Sequence, residues 1–418
     1  MEKFIINGAK YLKGEIEVRG AKNSATPILA ACLLTEQPCI IDNLPLIGDV
    51  LRMIEIMESI GVKVRWLDKR KVKIQAKDID QGKIKKEIIS KLRSSILFLG
   101  PLLTRFKKIK MPHPGGCLIG ARPLDTHLEA FADLGVKISK DENYFYLDHN
   151  SLKGAKIILK EFSVTGTENA LMAAVLAKGK SQIKMAASEP YIIDLARFLK
   201  KMGAKIKGHG THNLQIQGVS KLKGASYYLM YDPIEAGTFL ILGAATKSKI
   251  TVRNVEINYL EAVLEKLKEF GVNLEINKNS IKVMPSARLK ASKVMTMIYP
   301  GIPTDLQAPF GVLATQAQGD SLIFDTLYEG RLKYIDELNK MGAKAMICDS
   351  HRALISGPTA LHGNKITSFD LRAGATLIIA ALIAQGQSEI SDAYQVDRGY
   401  ENIEERLQKL GADIKRII

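Results

Sequence analysis

The sequence predicts an α/β protein of two domains built from six copies of one unit, three copies per domain. Three observations predict it: a short phrase that recurs six times, a helix of small and aliphatic residues ahead of each copy, and β-rich runs between them. The phrase is a bulky apolar residue, Gly, a small residue, a polar or charged one, then usually an apolar one. It occurs as Ile60-Gly61-Val62-Lys63-Val64, Leu134-Gly135-Val136-Lys137-Ile138, Met202-Gly203-Ala204-Lys205-Ile206, Phe270-Gly271-Val272-Asn273-Leu274, Met341-Gly342-Ala343-Lys344-Ala345 and Leu410-Gly411-Ala412-Asp413-Ile414. Its glycines are 74, 68, 68, 71 and 69 residues apart. Near-constant spacing of this kind marks an internal repeat.

Each copy of the phrase is expected to close an amphipathic helix, as at Leu51 to Ile60 and Leu260 to Phe270, with glycine at the left-handed C-terminal cap and a strand following. The helices ahead of the phrases are expected at Asn23–Leu34, Arg93–Leu103, Thr167–Ala177, Ala236–Thr246, Asp305–Thr315 and Ala373–Ala384. They are apolar nearly all round, so they belong inside a domain. Short β-rich runs follow them, such as Cys39-Ile40-Ile41 and Lys249-Ile250-Thr251-Val252. The unit thus reads strand, buried helix, strand, amphipathic helix, two strands.

The first strand-like runs, Phe4-Ile5-Ile6 and Glu15-Ile16-Glu17-Val18, precede the first buried helix, and the last unit has no strands after its terminal one. Closure therefore predicts that the N-terminal strands complete the second domain. The domains are expected at residues 22–229 and at 1–21 together with 230–418, with crossings near Gly20-Ala21 and Leu229-Tyr231. Two short crossings would form a hinge.

Composition limits the function. The chain has 418 residues, 46% hydrophobic and 25% charged, as an ordinary globular protein does. The start, Met1 to Gly8, has no apolar signal-peptide core, and the longest apolar run, Ala375 to Ala384, is about half a membrane span. Membrane insertion is not expected, and the reading is cytoplasmic. Cys32, Cys39, Cys117 and Cys348 form no C-x-x-C pair and no zinc-like spacing with histidine, so free thiols are expected and no metal site. The net charge is +16, but the lysines are scattered, aromatic residues are few and no nucleic-acid motif is present. A nucleic-acid partner is not expected; small anionic substrates fit the charge.

Candidate chemistry gathers in two places. Pro112 to Pro123 holds three glycines and three prolines, which exclude a regular element; it reads as an exposed, mobile loop bearing Cys117 and Arg122. The second place is the starts of the buried helices: Lys22-Asn23-Ser24, Arg93-Ser94-Ser95, Ser163 to Thr167, Asp305 and Arg372. Asn23, Ser24, Ser94 and Asp305 can be explained as simple helix caps. Lys22, Arg93 and Arg372 are less easily explained so, because cations are disfavoured at helix N-termini unless an anion binds there. Gly115 to Arg122 lacks the lysine and hydroxyl of a P-loop, and His209 and His212 read as loop histidines.

The loop Pro114-Gly115-Gly116-Cys117 with Ile119-Gly120-Ala121-Arg122-Pro123, the start Gly20-Ala21-Lys22-Asn23, Pro303-Thr304-Asp305 and Asp397-Arg398-Gly399-Tyr400 together resemble the UDP-N-acetylglucosamine enolpyruvyl transferases. The resemblance runs from Ile6 to Ile414. It implies a two-domain inside-out α/β barrel with three repeats per domain, and transfer of the enolpyruvyl group of phosphoenolpyruvate to the sugar 3-hydroxyl with loss of phosphate. No cofactor is implied. Carried over by position, Cys117 is the proton donor and Asp305 contacts the attacking hydroxyl. Lys22, Arg122 and Arg398 hold the phosphoenolpyruvate anion, with Arg372 beside them. Asn23, Arg93, Arg122, Pro123, Leu124, Asp125, Thr126, Ser163, Val164 and Leu327 match nucleotide-sugar contacts. Two positions depart from the pattern: Glu161, where a lysine can stand, and Thr165-Gly166 in place of Gly-Ala. The shikimate-pathway enolpyruvyl transferase fits less well, having a lysine-serine start and no such cysteine loop.

Overall fold

The computed structural model describes residues 2–115 and 123–418. Its backbone divides into two units. Among the described residues, the inserted unit comprises those from Gly20 to Met230, and the split unit joins Glu2–Arg19 to Tyr231–Ile418. Residues 116–122, with Cys117 and Arg122, lie outside the described residues, while Pro112 ends the strand Lys108–Pro112.

The six repeat glycines are the clearest link between sequence and fold. Gly61, Gly135, Gly203, Gly271, Gly342 and Gly411 all have positive φ, from +79° to +105°. In each copy the glycine N–H donates to the carbonyl three residues back, and the next N–H donates to the carbonyl five residues before it, as from Gly61 to Glu58 and Val62 to Met57. This pair of hydrogen bonds satisfies carbonyls that a helix end leaves open, and only glycine adopts the required φ without strain. A strand follows every one of them.

The buried helices are α1 (Lys22–Ala31), α2 (Leu99–Arg105, entered through a 3₁₀ segment at Arg93–Phe98), α3 (Val164–Ala174), α4 (Pro233–Ala245), α5 (Gln307–Ala314, entered through Thr304–Leu306) and α6 (Leu371–Ile383). In the inserted unit α2 packs on α3, and α1 touches α3 and the Arg93–Phe98 segment; in the split unit α4, α5 and α6 pack on one another. Every residue of α4 is buried. Burying a side chain such as Leu377 or Ile379 of α6, each 0% exposed, contributes roughly 1.5–3 kcal/mol. That is why apolar residues surround these helices rather than striping one face.

Sheets cover the helices. Strands such as Tyr144–Asp148 and Ser280–Met284 alternate buried residues with less buried ones, so one face meets the helices and the other is outward. The inserted unit has sheets of four, three and four strands and the split unit three of four, counted among the described residues. Two strands precede α1. β1 (Lys3–Asn7) lies antiparallel between Gln387–Ser391 and Asp413–Ile417, and β2 (Lys13–Glu17) runs parallel to Lys249–Arg253. In the inserted unit the late strand Ser226–Tyr228 runs parallel to the early strand Cys39–Asp42.

Candidate functional site

The helix starts differ from the simple capping explanation. The cap of α1 is Ala21, without a side-chain bond, and Ser24 Oγ turns inward to the Asp194 carboxylate. Asp194 also accepts from Tyr227 Oη at 2.6 Å and the Met230 N–H at 3.3 Å. Burial pushes its carboxyl up, partly offset by the Ser24 and Tyr227 bonds. Neither Ser94 nor Asp305 caps its segment. The side chains that do cap are Ser163, accepting from the Gly166 N–H at 3.2 Å, Asp232 on α4, and Asp370, accepting from the N–H groups of Arg372 and Ala373 at 2.8 and 3.0 Å.

In the inserted unit, Lys22 Nζ is 2.9 Å from Asp49 Oδ2, whose side chain is 4% exposed. An acid on the neighbouring helix Gly48–Ser59 thus accounts for part of what a cation does at a helix start. Arg93 Nη2 donates to the Pro123 carbonyl at 3.4 Å, and Thr126 Oγ1 donates to Glu161 Oε1 at 3.4 Å. A Cβ at Gly166 would press on Ser163 and on Thr126 Cγ2 at 3.1 Å, so glycine there lets the two candidate hydroxyls approach. His127 is buried beside them, 2.9 Å from Asn169 Nδ2 and 3.2 Å from Thr165 Oγ1. The amide nitrogen can only donate, so the Nε2 hydrogen of a neutral ring faces Thr165. Arg93, Pro123, Leu124, Asp125, Thr126, Ser163 and Val164 therefore form one group at the starts of the Arg93–Phe98 segment, the helix Asp125–Asp133 and α3. Asn23 sits on α1 with Lys22.

The split unit holds a denser cluster. Asp305 Oδ1 accepts from Arg331 Nη1 at 2.8 Å and lies 3.7 Å from Arg372 Nε. Burial opposes the Arg331 charge, but Asp305 and Asp370 outweigh it and hold the group above the ordinary guanidinium value. Arg372 is likewise held up against burial by Tyr400, Asp305 and Asp232. Its Cζ stands 5.4 Å over the Tyr400 ring, while its Nη1 is buried with no hydrogen-bond partner among the described residues. Arg398, 9% exposed, donates to Gln395 Oε1 at 3.0 Å. A Cβ at Gly399 would collide with Leu371 at the start of α6, so the motif glycine lets the Arg398 turn approach that helix. Asp325, 0% exposed, accepts from the N–H of candidate Leu327 at 2.9 Å, from Tyr328 N–H and from Thr304 Oγ1 beside Asp305. Sequence reasoning missed Arg331, Asp49, Asp194 and Asp325.

Over residues 6–407 the chain matches the family described as EPSP synthase (3-phosphoshikimate 1-carboxyvinyltransferase). It is 43% identical over 420 residues to the UDP-N-acetylglucosamine 1-carboxyvinyltransferase of Finegoldia magna, covering 100% of this chain and 99% of that one. The chain belongs to the UDP-N-acetylglucosamine 1-carboxyvinyltransferase family. A second member, UDP-N-acetylglucosamine 1-carboxyvinyltransferase 2 of Clostridium tetani, is 44% identical over 418 residues and all of both chains. The enolpyruvyl transferase NikO from Streptomyces tendae shares the fold, with a TM-score of 0.91 at 22% identity over 99% of this chain and 98% of that one. Enolpyruvyl transferases of this kind are two-domain α/β enzymes, and the three-helix, three-sheet units described above have that architecture. An open cleft of about 870 Å³, lined by Lys108, Lys110, Lys137, Tyr144 and Tyr146, contains none of the candidate residues.

Proposed function

We propose that this chain transfers the enolpyruvyl group of phosphoenolpyruvate to the 3-hydroxyl of UDP-N-acetylglucosamine, releasing phosphate, in the first committed step of peptidoglycan synthesis in the cytoplasm. The observation that carries the reading is full-length likeness to relatives named for that activity. The Asp305, Arg331 and Arg372 cluster supports it physically. Phosphoenolpyruvate is highly anionic, and guanidinium forks suit carboxylate and phosphate oxygens.

In this reading the sugar 3-hydroxyl attacks the central carbon of phosphoenolpyruvate and its proton passes to Asp305. The Cys117 thiol protonates the methylene, giving a tetrahedral intermediate that bears a methyl group. Elimination returns a methyl proton to the enzyme as the C–O bond to phosphate breaks, restoring the vinyl group. Lys22, Arg122 and Arg398 hold the phosphoenolpyruvate anion, with Arg372 beside them. Asn23, Arg93, Pro123, Leu124, Asp125, Thr126, Ser163, Val164 and Leu327 contact the nucleotide sugar. Closure of the two units around the substrates would exclude water from the cationic centre. Cations near a thiol favour the thiolate, whereas a general acid must begin protonated; binding of the substrate anions restores the thiol.

Running the reaction in deuterium oxide tests the chemistry, because a methyl intermediate places deuterium in the product's vinyl group. A product free of deuterium contradicts addition followed by elimination. Fosfomycin is expected to alkylate Cys117 and abolish turnover; full activity after exposure counts against the thiol's role. The Cys117 pKa is expected to rise when nucleotide sugar binds, and an unchanged titration refutes the protonation argument.

A further inference from the structure

We propose that Arg416 is a positioning residue for Arg398, fixing the helical turn Tyr394–Asp397 that ends where Arg398 begins. The proposal rests on the reading that Arg398 holds the phosphoenolpyruvate anion. Arg416 lies on the strand Asp413–Ile417 and grips Asp397 with both ends of its fork: Nη1 to Oδ2 at 2.8 Å and Nη2 to Oδ1 at 2.6 Å. Two further acids aim the guanidinium. Nε donates to Glu404 Oε1 at 2.6 Å, and Nη1 donates to Glu2 Oε2 at 2.8 Å. The guanidinium also stands 4.7 Å over the buried ring of Phe4.

The other end of the turn is held through the backbone, where the Ala393 N–H donates to the Glu2 carbonyl at 3.1 Å. Asp397 and Arg398 are consecutive, so wherever Arg416 sets the first, it sets the second. The Arg398 side chain reaches Gln395 within the same turn, so its direction also depends on how that turn is seated. Arg416 is not needed to seat its own strand, which β1 already pairs over five residues, Lys3↔Ile417 to Asn7↔Asp413. The fork instead spends its bidentate geometry on the turn. Lysine, a point charge, cannot reproduce that geometry.

The test compares the wild-type chain with Arg416→Met, Arg416→Lys, Asp397→Asn and the Arg416→Met/Asp397→Asn pair. Steady-state KM for each substrate is measured, together with kcat and amide hydrogen exchange at Val396, Gly399 and Tyr400. A misplaced binding cation weakens its own substrate, so KM for phosphoenolpyruvate is expected to rise about tenfold in Arg416→Met, and less in Arg416→Lys. KM for UDP-N-acetylglucosamine stays within about twofold. The double variant is no worse than its worse single member, as expected of two residues acting through one contact. Exchange at the three amides quickens with or without turnover. Unchanged KM for phosphoenolpyruvate together with unchanged exchange overturns the proposal, and so does an equal rise in both KM values, which marks general loosening. Should Arg416→Met fail to fold, Asp397→Asn, which leaves Glu2 and Glu404 on Arg416, carries the same comparison. A wild-type enzyme that turns over neither substrate refutes the proposed function, and the exchange readout then still decides the clamp.

Discussion

The candidate residues of the split unit and those of the inserted unit are held by different forces. In the split unit, Asp305, Arg331 and Arg372 are mutually charged, largely buried and close, with Asp232 and Asp370 near by. In the inserted unit the described contacts of the candidates include, beside the Lys22–Asp49 pair, single hydrogen bonds at element ends: Thr126 on Glu161, Arg93 on the Pro123 carbonyl, Ser163 on the Gly166 N–H. Charge held in a buried network is oriented before any ligand arrives, which suits a small, dense anion. Donors spread over several element ends suit a larger ligand with many hydroxyls.

The largest effect belongs to the split unit. Asp305→Ala removes the carboxylate between two buried guanidiniums, and breaking such a pair costs about 3–5 kcal/mol. The thermal midpoint should fall sharply, and kcat should fall by about 10²–10⁴-fold if Asp305 takes the hydroxyl proton. Retained stability would mean the cluster is not the preformed network described here. In the inserted unit, Ser163→Ala removes a cap and a hydroxyl only. It should cost about 1 kcal/mol of stability and act on KM for the nucleotide sugar more than on kcat; a kcat collapse would erase the contrast.

Two buried glutamates sharpen the comparison through pH. Glu235 on α4 pairs with Arg406 at 2.6 Å, whereas Glu168 on α3 is fully buried with Oε1 unpartnered among the described residues. Burial, with the Glu189 charge beside it, pushes the Glu168 carboxyl well above the ordinary value of 4.5. The folded state then keeps a proton that the unfolded state has lost, so this group's contribution to stability falls as pH rises from the unfolded pKa towards the folded one. Glu168→Gln should flatten the decline of thermal midpoint with pH above about 4.5. An identical slope in variant and wild type would contradict the assignment. The smallest effect on activity is expected at Gly411, where an added Cβ meets no atom within 4 Å but φ is +94°. Gly411→Ala should cost about 1–2 kcal/mol by backbone strain alone, measured by chemical denaturation, with both KM values unchanged.

The repeat was legible because its chemistry is local. A helix end that needs a left-handed residue selects glycine, and six such ends give six glycines; a central helix must be apolar all round, which a single stretch reveals. The expected buried helices at Ala236–Thr246 and Ala373–Ala384 correspond to α4 and α6 with ends shifted by one to three residues. Less legible were partnerships across the chain. Nothing beside Arg331 announces Asp305, 26 residues away, and nothing beside Ser24 announces Asp194, 170 residues away. The helix starts misled for the same reason. Ser24 looks like a cap in sequence, but it lies inside the first turn of α1, fully buried, and its hydroxyl donates to the Asp194 carboxylate instead. The Asp397 to Tyr400 motif was legible as a motif, but its glycine and tyrosine acquire physical reasons only from Leu371, Thr238 and Arg372 packed against them.

The most direct measurement is phosphate release from phosphoenolpyruvate with two acceptors offered separately, UDP-N-acetylglucosamine and shikimate 3-phosphate. The account predicts release with the nucleotide sugar, one phosphate per enolpyruvyl product, and none with the shikimate ester. Release driven by the shikimate ester, or phosphate formed at the same rate with no acceptor present, would contradict it.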